Sequence, residues 1–267
     1  TEGTITPSSS ISCGYIYDFY DDYKPRCMGR HGSINVVTAL TKSCNIFFYD
    51  VGRRMGADQM LKYCRLYGFG SATGVEVGES KGTLVTPESR AAAGSIWTAG
   101  DNLQLAIGQN GLYTPIQLAS YAMMIANDGV RYKTHLVHSV RRYDNTAEKV
   151  VEPQVAATAG WSKQAIDTVR AGMVNVVKAG TAYSSFGTAK YTVAAKTGTA
   201  QTGVKGQSDH GVFIAYAPVE NPEIAIAVVM ERGTSSSAAQ VARKITDAYF
   251  DSKTTGEKPL SVETLLP

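Results

Sequence analysis

The chain has 267 residues, 43% of them hydrophobic and 18% charged. These are the proportions of a folded globular protein and exclude a disordered one; the length suits one large domain or two small ones. The formal net charge of +3, with no basic cluster interleaved with aromatics, gives no support to nucleic-acid binding. No apolar run reaches the roughly 18 residues that a membrane span needs. The start, Thr1-Glu2-Gly3-Thr4, is polar, lacks an initiator methionine and carries no signal peptide, so it reads as a cut inside a longer protein.

Residues 1–32 are polar, aromatic and rich in turn formers, and read as an irregular lead-in. Ser33 is placed as the N-cap of a helix carrying Val36, Val37, Leu40 and Thr41 to about Ser43. A second helix is expected over Ile46–Arg54, closed by Gly56, and a third from Ala57-Asp58 to near Gly68. The span Gly68–Asn102 is glycine-, serine- and threonine-rich and reads mostly as loop, with a short helix at Pro87–Ala93. Thr114-Pro115-Ile116-Gln117 is a strong helix start: threonine caps, proline takes the first helical position, and glutamine sits three residues on. That helix is expected to reach Asn127 and stop at Gly129. Residues 136–151 alternate as a hairpin or edge strands, and Ser162 caps a helix over Lys163–Lys178 that Gly180 ends. Strands follow at Tyr191–Gly198, His210–Ala217 and Glu223–Glu231, then a closing helix over Ser236–Asp251.

Cys13, Cys27, Cys44 and Cys64 show no C-x-x-C spacing. Cys44 and Cys64 read as small buried hydrophobes; Cys13 and Cys27 flank a Tyr/Asp-rich loop and could bond in an oxidising compartment. His31, His135, His138 and His210 read as surface or turn residues, fit no serine–histidine–carboxylate order, and offer no metal-ligand spacing. No cofactor and no metal is expected.

Two short motifs carry chemistry. Ser43-Cys44-Asn45 falls at a helix-to-helix turn, where two small polar side chains can face one cleft. A hydroxyl can pass a proton, and a carboxamide can hold a substrate amide from both ends. The plainer alternative is that both residues only cap helices. Lys196-Thr197-Gly198-Thr199 falls at a strand end. Lys196 can face a substrate carboxylate, Gly198 lets a substrate backbone lie close, and Thr199 offers a hydroxyl and a backbone N–H for an oxyanion. The plainer alternative here is an edge-strand lysine that discourages aggregation. No Gly-x-x-x-x-Gly-Lys-Ser/Thr precedes it, so a phosphate loop is excluded.

Together the two motifs match two of the three signatures of penicillin-binding proteins and serine β-lactamases. The third, Ser-x-x-Lys, is absent: no serine here has a lysine three residues later. The supporting stretches are His31-Gly32, Gly68-Phe69-Gly70 with Thr73-Gly74-Val75-Glu76, Ile107-Gly108-Gln109, Thr114-Pro115-Ile116-Gln117-Leu118-Ala119, Ala126-Asn127-Asp128-Gly129, Gly180-Thr181-Ala182 and Lys-Thr-Gly-Thr-Ala-Gln. From about Ser12 to Phe250 the chain resembles the transpeptidase domain of class B penicillin-binding proteins, with Asn110 where the family more often has glycine.

The resemblance implies an α+β fold in which helices cover an antiparallel sheet. Three main strands fall in this chain, the rest preceding Thr1, and 1–267 would be the C-terminal portion of one domain, helical over 33–130 and sheet plus closing helix over 185–250. It implies that Ser43 relays protons, that Asn45 binds the peptide amide, and that Lys196 and Thr199 hold the terminal carboxylate. Thr197 and Gly198 lie in the same substrate-binding strand. The nucleophilic serine and its base lysine would come from outside the chain, which alone is expected to be inactive. Glu223–Glu231, apolar on both faces, reads as a central strand. Without its neighbour it would expose an edge that either the rest of the domain or a second copy covers. The implied partners are a peptidoglycan stem peptide and β-lactam antibiotics, at the extracytoplasmic face of the bacterial membrane. The competing readings are a β-lactamase or β-lactam sensor of the same fold, and a non-catalytic scaffold.

Overall fold

The computed structural model of the chain describes residues 1–255; residues 256–267, the tail of the expected 1–267 unit, lie outside the described residues. In chain order the elements are β1 (Ile11–Cys13), β2 (Gly32–Ile34), α1 (Val36–Lys42), α2 (Asn45–Met55), α3 (Ala57–Leu66), α4 (Pro87–Ala92), α5 (Ala99–Ala106), α6 (Pro115–Ala126), β3 (Val130–Tyr132), β4 (Ser139–Arg141), β5 (Ala147–Val150), β6 (Val155–Thr158), α7 (Lys163–Lys178), α8 (Tyr183–Phe186), β7 (Ala194–Ala200), β8 (His210–Ala217), β9 (Ile224–Met230) and α9 (Ser235–Thr255).

The main sheet is antiparallel with order β7-β8-β9. Its period-two alternation divides the core. Phe213, Ala215 and Ile226 on one face pack with Phe186 of α8 and with Ala238, Ala239 and Ala242 of α9. Ala194 and Tyr216 on the other face pack with Ile125 and Ala126 of α6 and with Ile166 and Met173 of α7. Helices thus cover both faces, which makes β9 apolar on both sides although it is an outer strand here. Among the described residues β8 is central and β9 pairs on one side only, which leaves open the apolar edge expected of Glu223–Glu231 without its neighbour.

Several local expectations change for physical reasons. The cap of α1 is Asn35, whose Oδ1 accepts from the Thr38 N–H at 3.0 Å, because Ser33 is held in β2 opposite Ser12. The lead-in contains β1, paired with β2. The span read as loop to Asn102 contains the start of α5, where Thr98 and Asp101 form a reciprocal capping box. The third strand pair, β3 with β6, also escaped the sequence reading. Strand β7 begins at Ala194 rather than Tyr191, whose hydroxyl donates to Asp247 Oδ1 at 2.8 Å.

Gln117 shows how a cap can organise more than its own helix. Its Oε1 accepts from the Thr114 N–H at 2.9 Å, while its Nε2 donates to the carbonyls of Gly68, Ser71 and Lys81. The side chain is 1% exposed, so the loop over 68–81 is tied to α6 by a buried amide whose loss would strand three acceptors.

Phe213 is fully buried and stacks on Phe186 with centroids 5.3 Å apart. Phe213→Ala is expected to cost about 3–5 kcal/mol, read as a lower urea midpoint at unchanged slope; a loss under about 1 kcal/mol would show that this face is not the core.

Candidate active site

Ser43 caps α1 at φ 53°, ψ 50°, a left-handed conformation that costs a non-glycine residue roughly 1–2 kcal/mol. The turn is held by Ser43 N–H to Leu40 O at 3.2 Å and Cys44 N–H to Ala39 O at 2.9 Å, and Asn45 opens α2 directly afterwards. Gly180 brings the end of α7 against this turn: a Cβ there would lie 2.6 Å from the Thr41 carbonyl oxygen. Gly172, within α7 itself, does the same against α1, since a Cβ would meet Leu40 at 2.5 Å.

Strand β7 passes the turn. Lys196 Nζ donates to Ser43 Oγ at 2.8 Å and to the Thr197 carbonyl at 2.6 Å. Burial lowers the Lys196 pKa to about 8, because a desolvated ammonium is disfavoured. Thr197 is buried, and its Oγ1 lies 2.6 Å from Thr181 Oγ1. Gly198 has only ordinary contacts where a Cβ would stand, the nearest Val212 Cβ at 3.4 Å. Thr199 is exposed, and its carbonyl accepts from Gln109 Nε2 at 2.9 Å. Asn45 turns its Nδ2 to the Arg26 carbonyl at 3.3 Å. The structure thus brings Ser43, Lys196 and Thr197 into one hydrogen-bonded group, with Gly198 and Thr199 continuing the same strand and Asn45 beside Cys44 on the turn.

A second constellation adjoins this turn. Cys13, Cys27, Cys44 and His31 place one potential ligand atom each within 4.8 Å of one another. Cys27 Sγ is 3.8 Å from Cys44 Sγ, and His31 Nδ1 is 3.5 Å from Cys13 Sγ and 3.7 Å from Cys27 Sγ. Tetrahedral zinc with Zn–S of about 2.3 Å separates neighbouring sulfurs by about 3.8 Å, so the donor set fits that ion. Burial opposes a thiolate at Cys27, yet the Gly29, Ile46 and Asn45 N–H groups together hold it below its ordinary pKa. Burial pushes the Cys44 thiol up. Both Cys13 and Cys27 are free thiols, so the disulfide weighed from sequence is not made, and His31 is no mere turn residue. The sequence reading expected no metal; the fold nonetheless brings these four donors together. Cys27 and His31, four residues apart, offered the one short spacing, and the pairing of β1 with β2 beside α2 adds Cys13 and Cys44 to them.

Gln109 and Thr181 also escaped as site residues, although Ile107-Gly108-Gln109 and Gly180-Thr181-Ala182 were visible as motifs.

Residues 1–247 match the family model for the penicillin-binding protein transpeptidase domain. The chain belongs to this family. It is 34% identical to the peptidoglycan D,D-transpeptidase MrdA of Acinetobacter baumannii over 271 residues, covering 93% of this chain and 40% of that protein. Pseudomonas aeruginosa PBP2, solved in complex with WCK 5153, is 32% identical with a TM-score of 0.81, over 92% of this chain and 57% of that one. Helicobacter pylori PBP2, solved in a complex with MreC, is 27% identical with a TM-score of 0.79, over 92% and 46%. This is the transpeptidase domain of a class B penicillin-binding protein, with the helix-covered antiparallel sheet of the penicillin-binding protein and serine β-lactamase fold. The chain spans well under two thirds of the length of the curated relatives it matches.

In 13Cε-lysine spectra, one amine is expected to titrate near pH 8 and to vanish in Lys196→Arg. Titration of every lysine near its ordinary value, about 10.4, would contradict the burial of this ammonium.

Proposed function

We propose that this chain supplies the substrate-holding side of a peptidoglycan D,D-transpeptidase site. The observation that carries the reading is the Lys196 ammonium, buried and bonded to the Ser43 hydroxyl, with the Thr197–Thr199 strand beside it. A buried cation favours an anionic partner, and the C-terminal carboxylate of a stem peptide is one. Lys196 and the Thr199 hydroxyl hold that carboxylate, Thr197 lines the same strand, Asn45 binds the peptide amide, and the glycine at 198 leaves room for the substrate backbone. The Thr199 N–H forms one half of the oxyanion hole.

The nucleophilic serine and its base lysine come from a segment outside this chain. The serine oxygen attacks the carbonyl carbon of the penultimate D-Ala. Its proton passes by way of the base lysine and Ser43 to the leaving amine as the C–N bond to the terminal D-Ala breaks. An acceptor amine on a neighbouring stem peptide then attacks the acyl carbon, its proton returning by the same groups to the serine oxygen as the ester C–O bond breaks, which completes the cross-link. β-Lactams acylate the same serine. The contributing segment pairs along the open side of β9, and the whole protein works at the extracytoplasmic face of a bacterial membrane. No helix of the described residues is long and apolar enough to cross a membrane.

Cys13, Cys27, His31 and Cys44 are proposed to hold Zn2+ as a closed structural site. The ion would fix the Ser43–Asn45 turn through Cys44, which stands between the two residues. Metal analysis of the purified protein is expected to give about one zinc per chain, falling toward zero in Cys27→Ser. A zinc-free wild-type protein that keeps its melting temperature in chelator would contradict the site.

For the reaction, fluorescent penicillin is expected to label the full-length protein stably. Lys196→Ala should slow labelling at least about 100-fold, in line with loss of an electrostatic group at the reacting centre. This chain alone should remain unlabelled. Rapid turnover of the bound label would favour a β-lactamase, and absence of labelling a scaffold; either would overturn the transpeptidase reading.

A further inference from the structure

Resting on the transpeptidase reading, we infer that Gln109 is a positioning residue. It closes the outer edge of β7 at Thr199 and Gln201, fixes the Thr199 peptide group, and ends there the strand that an acyl donor can add. The side chain is delivered by a rigid scaffold. α5 starts with the Thr98–Asp101 capping box. It ends with Gly108 at φ 80°, whose N–H bonds Leu105 O, and with Gln109 N–H bonding Gln104 O, both at 3.0 Å. This double bond pattern is the Schellman closure. Asn110 Nδ2 then returns to the Asp101 backbone and carboxylate oxygens, each at 3.2 Å, and Asp101 is itself paired with Arg90. The backbone on either side of Gln109 is therefore anchored to α5.

From that base, Gln109 Nε2 donates to Thr199 O at 2.9 Å, and Gln109 Oε1 accepts from Gln201 N–H at 3.3 Å. In an antiparallel strand, residues two apart turn their N–H and C=O groups to the same side. Thr199 O and Gln201 N are thus a pair that an N–H and a C=O from successive peptide groups of an added strand would engage, and the carboxamide of Gln109 stands in for both. Among the described residues β7 pairs with β8 alone, so its other edge is open except at this plug. By the same alternation Thr197 faces that edge, where its carbonyl already accepts from Lys196. The length left for a donor is Thr197–Thr199, enough for the terminal peptide units but not for an extended strand past Gln201. The Thr199 carbonyl has a second lone pair, so a donor N–H can join Gln109 there. That carbonyl lies in the Thr199–Ala200 peptide plane, which shares the Thr199 Cα with the plane carrying the Thr199 N–H, so tilting it shifts that N–H through the Cα.

The test uses the full-length protein with Gln109→Glu and Gln109→Ala. Glutamate keeps the size and the acceptor for Gln201 but loses the donor to Thr199. The acylation rate constant and the prior binding constant are measured with two probes: a penicillin bearing an acylamino N–H, and a carbapenem lacking it. Both variants are expected to lose about tenfold in acylation by the penicillin, the worth of one hydrogen bond, with melting temperature held in at least Gln109→Glu. The carbapenem should lose about threefold or less. Gln201 N–H exchange should speed about tenfold in Gln109→Ala. Acylation within about twofold of wild type, or equal losses for both probes, would overturn the inference. Lys196→Ala serves as the separate control: if it labels like wild type, the transpeptidase reading fails, whereas normal Gln109 variants beside an impaired Lys196→Ala sink only the role of Gln109.

Discussion

The bond from the Lys196 ammonium to the Ser43 hydroxyl joins positions 153 residues apart at 2.8 Å, and the site exists only because the fold can make it. Three constraints converge on it. Ser43 must sit in a left-handed turn, the end of α7 must lie close enough to α1 to require Gly180, and β7 must be held by β8 along its whole length. Each spends some conformational freedom, and each is offset by packing on the two faces of the sheet rather than by the site itself. The strained serine fits the general pattern in which unfavourable backbone collects where function needs a fixed side chain.

Much of this was legible because local signals agreed with tertiary demands. Strand β8 was read at its observed bounds, and α7 at its observed ends, since alternation, capping serine and terminal lysine all pointed one way. α6 was equally plain from Thr114-Pro115 and Gln117. The failures have a common physical cause. α5 hid in a glycine- and threonine-rich stretch, where its cap used aspartate rather than the glutamine or glutamate of the usual box. β3 and β6 are short and partly exposed, so they carry little hydrophobic pattern. Strand β9 has an apolar sequence because helices cover both of its faces, a pattern that cannot report whether its edges are also paired.

The site shows the same division. Ser43, Asn45 and Lys196 were singled out from short motifs that gain meaning only together; the fold brings Ser43 and Lys196 into contact and leaves the Asn45 amide on the Arg26 carbonyl. The Cys13–Cys27–His31–Cys44 cluster offered only the Cys27–His31 spacing, because its donors come from β1, the following loop, the segment before β2 and the cap of α2. Their convergence is a product of the β1–β2 ribbon folding back on α2, with Phe47 and Tyr49 filling the core behind it. Cys44 ties the two constellations together: its side chain faces the donor cluster while the preceding Ser43 faces Lys196 of β7. A metal there and the Ser43 turn would accordingly share one piece of backbone.

The most direct measurement is the crystal structure of the full-length protein with a stem-peptide analogue ending in D-Ala-D-Ala. The account predicts the terminal carboxylate within about 3 Å of Lys196 Nζ or the Thr199 hydroxyl, and the adjoining peptide group lying along the Thr197–Thr199 edge of β7. A peptide bound elsewhere, with Lys196 still bonded to Ser43 and no anion beside it, would contradict the account.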